Sequence, residues 1–151
     1  MKRALPRLLG AAVIAVGLVI VIAGRASAPA GRYTTDADTV YDTKTKLTWQ
    51  RAASPSTYQQ GDAVAYCSML TLGGASWRLP KMKEIVTILD FSAVDPAPTI
   101  DATAFPGTIA DDYWTSTLYA GLVGNAWYAN FSASYTDTDV VTDMKYARCV
   151  H

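Results

Sequence analysis

The chain has 151 residues, which suits one domain together with a targeting segment. Its 13 basic and 13 acidic residues balance, but residues 31–151 alone hold nine bases and thirteen acids, a formal charge of −4. A domain with this acidic balance is a poor candidate for binding DNA or RNA. The same negative charge also argues against simple electrostatic binding of sulfated polysaccharides.

The first 30 residues have the order of an export signal. Lys2, Arg3 and Arg7 precede the apolar run of residues 8–24, and small residues follow as far as Ala30. This order predicts either a signal peptide cleaved after Ala30 or an uncleaved single-span membrane anchor. Both alternatives place residues 31–151 outside the cytoplasm, because the positively charged flank stays inside.

The exported part begins with a predicted β-hairpin. Val40 and residues 47–49 are β-favouring segments on either side of the polar turn 42–46. Residues 53–56, which include a proline, are predicted to form a loop before the first helix.

Two helices are predicted to follow the hairpin. In residues 57–72, Ala63, Tyr66, Cys67 and Leu70 recur at the spacing of one helical face. Residues 80–91 form the second helix, since proline fits the first helical position and an apolar stripe follows it.

The two cysteines of the chain are Cys67, on the buried face of the first predicted helix, and Cys149, near the end of the chain. In an oxidising compartment an even pair is typical of one disulfide. Such a bridge would close a loop of about 80 residues and contribute about 4 kcal/mol to stability. Two buried thiols are the alternative.

The rest of the chain is predicted to form a long loop and antiparallel strands. Residues 92–112 contain three prolines and no periodicity, and long loops on rigid scaffolds often carry function. Residues 113–119 and 125–131 are aromatic and rich in β-formers, residues 133–144 are polar, and residues 146–150 form the last predicted strand. Helices and strands are segregated along the chain, which predicts an α+β fold.

The residue types needed for common enzyme chemistry are scarce. The single histidine is His151, the last residue, which is a poor place for a catalytic base. Asp111 and Asp112 are neighbours and would point to opposite faces of a strand, so they make a weak pair for glycoside hydrolysis. Asp137, Asp139 and Asp143 offer oxygen ligands for calcium but lack the spacing of an EF-hand. We predict a non-enzymatic protein without a metal or other cofactor.

Several phrases occur together in an order that resembles one known family. They are Thr39-Val-Tyr-Asp42, Leu47-Thr-Trp-Gln50, Ala65-Tyr-Cys67, Leu70-Thr-Leu-Gly-Gly74, Trp77-Arg-Leu-Pro80 with Glu84, Tyr113-Trp-Thr-Ser-Thr117, Ala126-Trp-Tyr128 with Phe131, and Tyr146-x-Arg148-Cys-Val150. This set resembles domain of unknown function 1566, the C-terminal domain of the Legionella collagen-like adhesin, over most of residues 31–151.

The resemblance implies a C-type-lectin-like fold with one disulfide between a helix and the last strand. The Legionella adhesin uses its copy of the domain to bind host glycosaminoglycans. The collagen-like stalk is missing here, and so are the calcium and sugar motifs of the calcium-dependent lectins. The formylglycine-generating enzymes are related in fold, but their active cysteine pair has no counterpart, since both cysteines here fit the structural bridge.

Residues in the resembling phrases are assigned either structural or ligand-binding roles. Large aromatic residues are well suited to core packing, and an Arg–Glu pair six residues apart can hold the start of the second helix. The predicted structural residues are Trp49, Trp77, Arg78, Glu84 and Trp114. The predicted ligand-binding residues, where lectin-like folds place their ligands, are Tyr119, Asn125, Tyr128 and Asp111.

The sequence thus predicts an exported recognition domain that binds a glycan or an envelope or extracellular protein surface. The alternative hypothesis is a structural or assembly module of the bacterial cell envelope, tethered by its N-terminal segment. The oligomeric state is left open.

Overall fold

The computed structural model describes residues 31–92 and 98–151. The predicted leader, residues 1–30, lies outside the described residues, as do residues 93–97 of the predicted long loop. None of the helices in the described part of the chain has the length and apolar character that a membrane span requires.

The N-terminal part folds into a three-stranded antiparallel sheet, here called the first sheet. Its strands are β1 (Tyr33–Thr35), β2 (Thr39–Asp42) and β3 (Thr48–Gln50), in the order β1-β2-β3. The predicted hairpin is therefore confirmed as β2 and β3, and β1 adds a third strand that the sequence analysis did not predict.

The turn between β2 and β3 contains a backbone conformation that lysine disfavours. The Asp42 carboxylate accepts a hydrogen bond from the Lys44 N–H, and the Lys46 N–H donates to the Asp42 carbonyl. Lys46 has φ of 63°, in the left-handed region where a Cβ atom crowds the following carbonyl oxygen. Glycine adopts this conformation without that cost.

Both helices are shorter than predicted. Helix α1 is Gln60–Ser68, and helix α2 is Met82–Ile85, continued by a 3-10 turn over Val86–Ile88. Helix α1 begins late because Tyr58 exchanges backbone hydrogen bonds with Lys145. Helix α2 ends early in a run of β-branched residues, whose side chains lose rotamer freedom in a helix.

The second sheet is also three-stranded and antiparallel. Its strands are β4 (Asp112–Leu118), β5 (Asn125–Asn130) and β6 (Tyr135–Val140), in the order β4-β5-β6. The predictions for β4 and β5 are confirmed. No element was predicted within the polar residues 133–144, where the structure has β6. Strand β6 pairs with β5 along its whole length. Thr and Asp alternate in it, so it lacks the apolar face by which strands are usually recognised in a sequence.

The C-terminal segment, residues 145–151, does not form the predicted strand over 146–150. It makes isolated β-bridges with residues of both sheets and with Arg78. The Gln50 N–H donates to the Cys149 carbonyl at 2.9 Å, and the Trp114 N–H donates to the Tyr146 carbonyl at 2.9 Å. Even His151, expected to fray, exchanges backbone hydrogen bonds with Thr48. The segment therefore joins the two sheets.

The disulfide and a buried arginine fix the same segment. Cys67 of α1 is bonded to Cys149, with their Cα atoms 5.4 Å apart. Arg148 is fully buried and donates from Nη1 to the Gln50 carbonyl at 2.8 Å and from Nη2 to Thr108 Oγ1 at 2.7 Å. Its guanidinium lies 4.9 Å from the Phe105 ring, and burial lowers its pKa to about 10.

Apolar side chains form two clusters, one on each face of the second sheet. Trp49, Tyr113 and Phe131 belong to one cluster, and Trp77 and Trp114 belong to the other, next to the disulfide. The described end of the long loop joins the first cluster through buried residues such as Phe105, and the Thr99 N–H donates to the Phe131 carbonyl. The fold is accordingly α+β with two sheets, two short helices and one disulfide.

Arg78 and Glu84 connect the approach to α2 with its first turn. Both guanidinium Nη atoms donate to the Glu84 carboxylate at 2.7 Å, and the same carboxylate accepts the Lys81 N–H at 2.7 Å. The pair is partly exposed, and the bond from Arg78 lowers the pKa of Glu84. This geometry gives the carboxylate a capping role at the N-terminus of α2.

Replacing Arg78 by alanine is expected to lower the free energy of unfolding by about 1 kcal/mol, because a bidentate but partly exposed ion pair is lost. Thermal unfolding measures the change. Arg78→Lys keeps the charge but not the two-point contact, so its free energy of unfolding is expected to lie between those of the natural protein and Arg78→Ala. Unchanged stability combined with lost ligand binding would show instead that Arg78 contacts the ligand.

Replacing Lys46 by glycine is expected to raise the free energy of unfolding by about 0.5–1 kcal/mol, because the left-handed backbone then carries no Cβ clash. Lys44→Gly in the same turn is the matched control, since Lys44 is also exposed and does not have a positive φ. It is expected to lower stability. Equal effects of the two substitutions would contradict this account of the turn.

Candidate functional site

The four residues predicted to bind a ligand do not lie together. Tyr119 and Asn125 lie at the β4–β5 hairpin, where the Tyr119 N–H donates to the Asn125 carbonyl at 2.9 Å. Asp111 precedes β4 at the opposite end of the sheet, about 20 Å away at the rise of an extended strand. Tyr128 points to the face opposite Trp127 and is 8% exposed.

Tyr128 nevertheless belongs to a group of polar and aromatic side chains that share one face of the second sheet. Strand register places these residues side by side: Asp112 opposes Asn130, and Tyr135 opposes Asn130 from the other neighbouring strand. We call the group the lysine–tyrosine cluster, and its members are Asp112, Tyr128, Asn130, Tyr135, Asp139 and Lys145.

Lys145 is the centre of this cluster. Its side chain is 7% exposed, and Nζ lies 2.9 Å from Asp139 Oδ2 and 3.3 Å from Asp112 Oδ2. Burial alone would lower the pKa of Lys145, but the bond to Asp139 and the charge of Asp112 outweigh burial and raise it. The ammonium also lies 4.3 Å from the centre of the Tyr128 ring, a cation–π distance.

The neighbouring polar groups are held by hydrogen bonds. Asn130 donates from Nδ2 to Asp112 Oδ1 at 2.7 Å, and its Oδ1 accepts the N–H groups of Ser132 and Ala133. Burial, followed by the charge of Asp112 and a hydrogen bond with Tyr135, raises the pKa of Tyr128. These contacts fix the carboxylate and amide orientations before any ligand arrives.

Tyr135 is the accessible aromatic member of the cluster. It is 45% exposed, and its ring stands edge-on to Tyr128 at 6.3 Å between ring centres. Asp137, which faces the same side of the sheet, is also exposed. The cluster thus presents an aromatic ring beside carboxylates, with an ammonium beneath them.

The calcium hypothesis at Asp137, Asp139 and Asp143 receives no support from this arrangement. Asp139 bonds the Lys145 ammonium, which lowers the pKa of Asp139. Within residues 31–92 and 98–151, no group of three or more His, Cys, Asp or Glu residues is placed to hold a metal ion.

A second surface lies at the β4–β5 hairpin. Leu118, Leu122 and Val123 are 65%, 57% and 99% exposed. Behind them, the Tyr119 and Trp127 rings are perpendicular with their centres 5.6 Å apart. We call these five residues the hairpin tip.

A shallow groove on another part of the surface contains none of the predicted ligand-binding residues. Its walls combine Asp38, Gln50 and Arg51 with apolar side chains, namely Ala37, Ala52, Leu70, Leu72 and Pro106. Arg51 is committed to backbone carbonyls of Asp36 and Ala104, and the Gln50 amide donates to the Tyr66 hydroxyl. These polar groups serve the fold, so we do not place the site there.

Sequence reasoning missed most of the lysine–tyrosine cluster. Asp137 and Asp139 are two residues apart, which in a strand puts both on one face, but no strand was predicted in this polar segment. Lys145 carries no signal of its own in the sequence, because its partners come from β4 and β6, 33 and 6 residues away.

Replacing Lys145 by methionine is expected to lower the free energy of unfolding at neutral pH by about 1–3 kcal/mol, because two partly buried carboxylates lose their cation. The pKa of Asp139 should rise towards its ordinary value. A carboxylate whose pKa is depressed stabilises the fold above its unfolded pKa and loses that effect as pH falls through the folded pKa. The loss caused by Lys145→Met should therefore shrink below about pH 4.

Thermal unfolding between pH 2 and 7 and an NMR titration of the Asp139 carboxyl test this prediction. Lys83→Met is the control, because Lys83 is exposed and forms no ion pair with a described residue. An equal loss at pH 7 and pH 2.5 would refute the electrostatic account of the cluster.

Comparison with known proteins places the chain in a family. No curated protein matches the chain. Residues 38–151, about three quarters of the chain, match the family described as the Lcl C-terminal domain. That domain takes its name from a collagen-like adhesin and implies an extracellular or surface module. The chain therefore belongs to the Lcl C-terminal domain family.

Proposed function

We propose that residues 31–151 form a non-enzymatic, exported recognition domain of C-type-lectin-like fold, which binds a glycan through the lysine–tyrosine cluster. The observation that carries the proposal is the exposed Tyr135 ring beside two carboxylates of fixed orientation. Asn130 holds the Asp112 carboxylate, and Lys145 holds the Asp139 carboxylate. An envelope or extracellular protein surface is the other ligand class for such a domain.

The chemistry of the cluster fits a polyhydroxylated ligand. Sugar rings have an apolar face that packs on an aromatic ring, and their hydroxyls donate to carboxylates. Binding sites of this kind depend on a few well-placed polar groups that fix the ligand orientation. The hydrogen bonds of Asn130 and Lys145 hold Asp112 and Asp139 in place, so little ordering is required when a ligand binds.

The charge of the cluster selects against a polyanion. One ammonium faces the two carboxylates of Asp112 and Asp139, and Asp111 and Asp137 add exposed negative charge nearby. The domain as a whole carries a formal charge of −4. We infer that the ligand is an uncharged or positively charged glycan, unlike the glycosaminoglycans that the resemblance to the Legionella adhesin implies.

Three features support the lectin-like fold. The disulfide joins α1 to the C-terminal segment, the Trp77-Arg-Leu-Pro80 phrase leads into α2, and two antiparallel sheets meet at that segment. The described end of the long loop packs into the core through Phe105. A rigid scaffold of this kind can present β4, β5 and β6 as a recognition face.

The second candidate function is a structural or assembly module of the cell envelope, tethered by the N-terminal segment. The exposed apolar hairpin tip favours it, because large apolar groups at a surface typically mark contacts with another molecule. Membrane fractionation separates the two candidates at the level of the whole protein: an intact leader in the membrane fraction favours the tethered module.

The glycan proposal is tested by binding of the protein to an array of neutral, amino-bearing and sulfated glycans. Replacing Tyr135 by alanine is expected to weaken binding at least about tenfold, the equivalent of about 1.4 kcal/mol of lost aromatic contact. Tyr41→Ala is the matched control, because Tyr41 is a strand tyrosine of the first sheet and is 38% exposed. Equal affinities for the two variants, or an absence of glycan binding, would contradict the proposal.

A further inference from the structure

We propose that the hairpin tip (Leu118, Tyr119, Leu122, Val123 and Trp127) inserts into the surface of a lipid bilayer, with Lys81 and Lys83 against its anionic headgroups. This inference does not depend on glycan binding at the lysine–tyrosine cluster. The two surfaces share no residue, and Tyr135, the exposed ring of the cluster, pairs with Asn130 at the end of β5 opposite the tip.

The tip is held with its apolar side chains outward. The Tyr119 N–H donates to the Asn125 carbonyl at 2.9 Å, and the Asn125 N–H donates to the Leu122 carbonyl at 3.3 Å. Gly124 closes the turn with φ of 86°. These bonds order the turn while Val123 remains 99% exposed, so the apolar surface belongs to the folded state.

Charge is absent from the sequence on both sides of the tip. No Asp, Glu, Lys or Arg occurs between residues 113 and 136. Entry of this hairpin into the outer part of a bilayer would therefore require no charged side chain of the stretch to leave water. Much of this stretch is strand with buried side chains, but residues 118–124 are all exposed and none of them is charged.

The aromatic pair of Tyr119 and Trp127 lies where the headgroup level of the bilayer would be. Tyr119 and Trp127 lie immediately behind the aliphatic residues, and both rings combine an apolar body with a polar group. Tyrosine and tryptophan are enriched at the headgroup level of membranes for this reason. Tyr119 also lies against the backbone of Gly121, where a Cβ atom would approach its ring to 2.5 Å. Gly121 therefore permits the position that brings Tyr119 onto Trp127.

Two exposed lysines flank the same end of the sheet. The Ser116 N–H donates to the Pro80 carbonyl at 2.8 Å, and the Met82 N–H donates to Thr117 Oγ1 at 3.0 Å. These bonds place Lys81 and Lys83 beside the last residues of β4. Neither lysine forms an ion pair within the described residues, whereas Arg78 is paired with Glu84. Free lysines beside an apolar surface are typical of proteins that bind anionic bilayers.

The path of the chain favours a bilayer over a second copy or another protein. Arg32 donates to the Thr87 carbonyl at 2.6 Å, so the first described residues lie along the same α2 and 3-10 segment whose start contacts β4. Residues 82–87 span about 10 Å, and residues 25–30 reach at most about 20 Å. A leader retained in a membrane would therefore hold the tip close to that membrane.

The test uses the full chain reconstituted in vesicles of phosphatidylcholine and phosphatidylglycerol, with bromine on the outer part of some lipid chains. In a Trp127→Phe background, whose remaining tryptophans Trp49, Trp77 and Trp114 are buried, Val123→Trp places a reporter at the tip and Tyr41→Trp places one at an exposed position of the first sheet. We expect a blue shift and a loss of emission for the tip reporter alone, because interfacial elements insert about 5–10 Å. Adding Lys81→Gln and Lys83→Gln should reduce the effect in these vesicles.

Equal quenching at the two positions would overturn the proposal. So would a tip reporter that shifts to the blue with protein concentration in detergent, without brominated lipid, since a second copy would then cover the tip. Glycan binding in vesicle-free solution is unaffected by either result, so failure of this inference is distinguishable from failure of the proposed function.

Discussion

The C-terminal segment is the constraint on which the rest of the structure depends. Within seven residues it bonds the first sheet at Gln50, the second sheet at Trp114, and helix α1 through the disulfide of Cys149. Arg148 adds a fully buried charge whose hydrogen bonds go to the Gln50 carbonyl and to Thr108. Such a group is costly to bury unless its donors are satisfied, and here both Nη atoms are satisfied while Nε has no partner among the described residues. Because the Nη partners come from different elements, the charge favours one arrangement of those elements over others.

Both candidate surfaces follow from this constraint. Lys145 begins the C-terminal segment, and the position of the segment brings its ammonium between Asp112 and Asp139. The hairpin tip lies at the free end of the same sheet, where neither the segment nor α1 covers Val123. One face therefore carries ordered polar groups beside an aromatic ring, while the end carries uncharged apolar side chains. The proposed roles, glycan binding and bilayer contact, match these two compositions.

Sequence patterns predicted the hairpin, both helices, β4 and β5, and the class of fold, because each has a local signal such as apolar spacing or flanking turns. Strand β6 escaped prediction because Thr and Asp alternate in it. It is the edge strand of the second sheet, and an exposed edge strand needs no apolar stripe. The β-forming residues of the C-terminal segment predict a strand that the structure does not have. Its partners are distant in the chain, for example Gln50, which is 99 residues from Cys149, and no local pattern reports such contacts. The lysine–tyrosine cluster was missed because three strands and the C-terminal segment contribute to it, and only Tyr128 among its members was predicted to bind a ligand.

Native-state hydrogen exchange tests most directly whether the C-terminal segment unites the two sheets. Four amides are informative. Those of Gln50, Arg78 and Trp114 donate to carbonyls of the segment, and that of Val150, within the segment, donates to the Arg78 carbonyl. Elements that open together share one free energy of exchange. We predict that all four amides exchange with the free energy of global unfolding. Exchange of the Gln50 amide at a clearly lower free energy than the Trp114 amide would show that the first sheet opens separately, and would contradict the account.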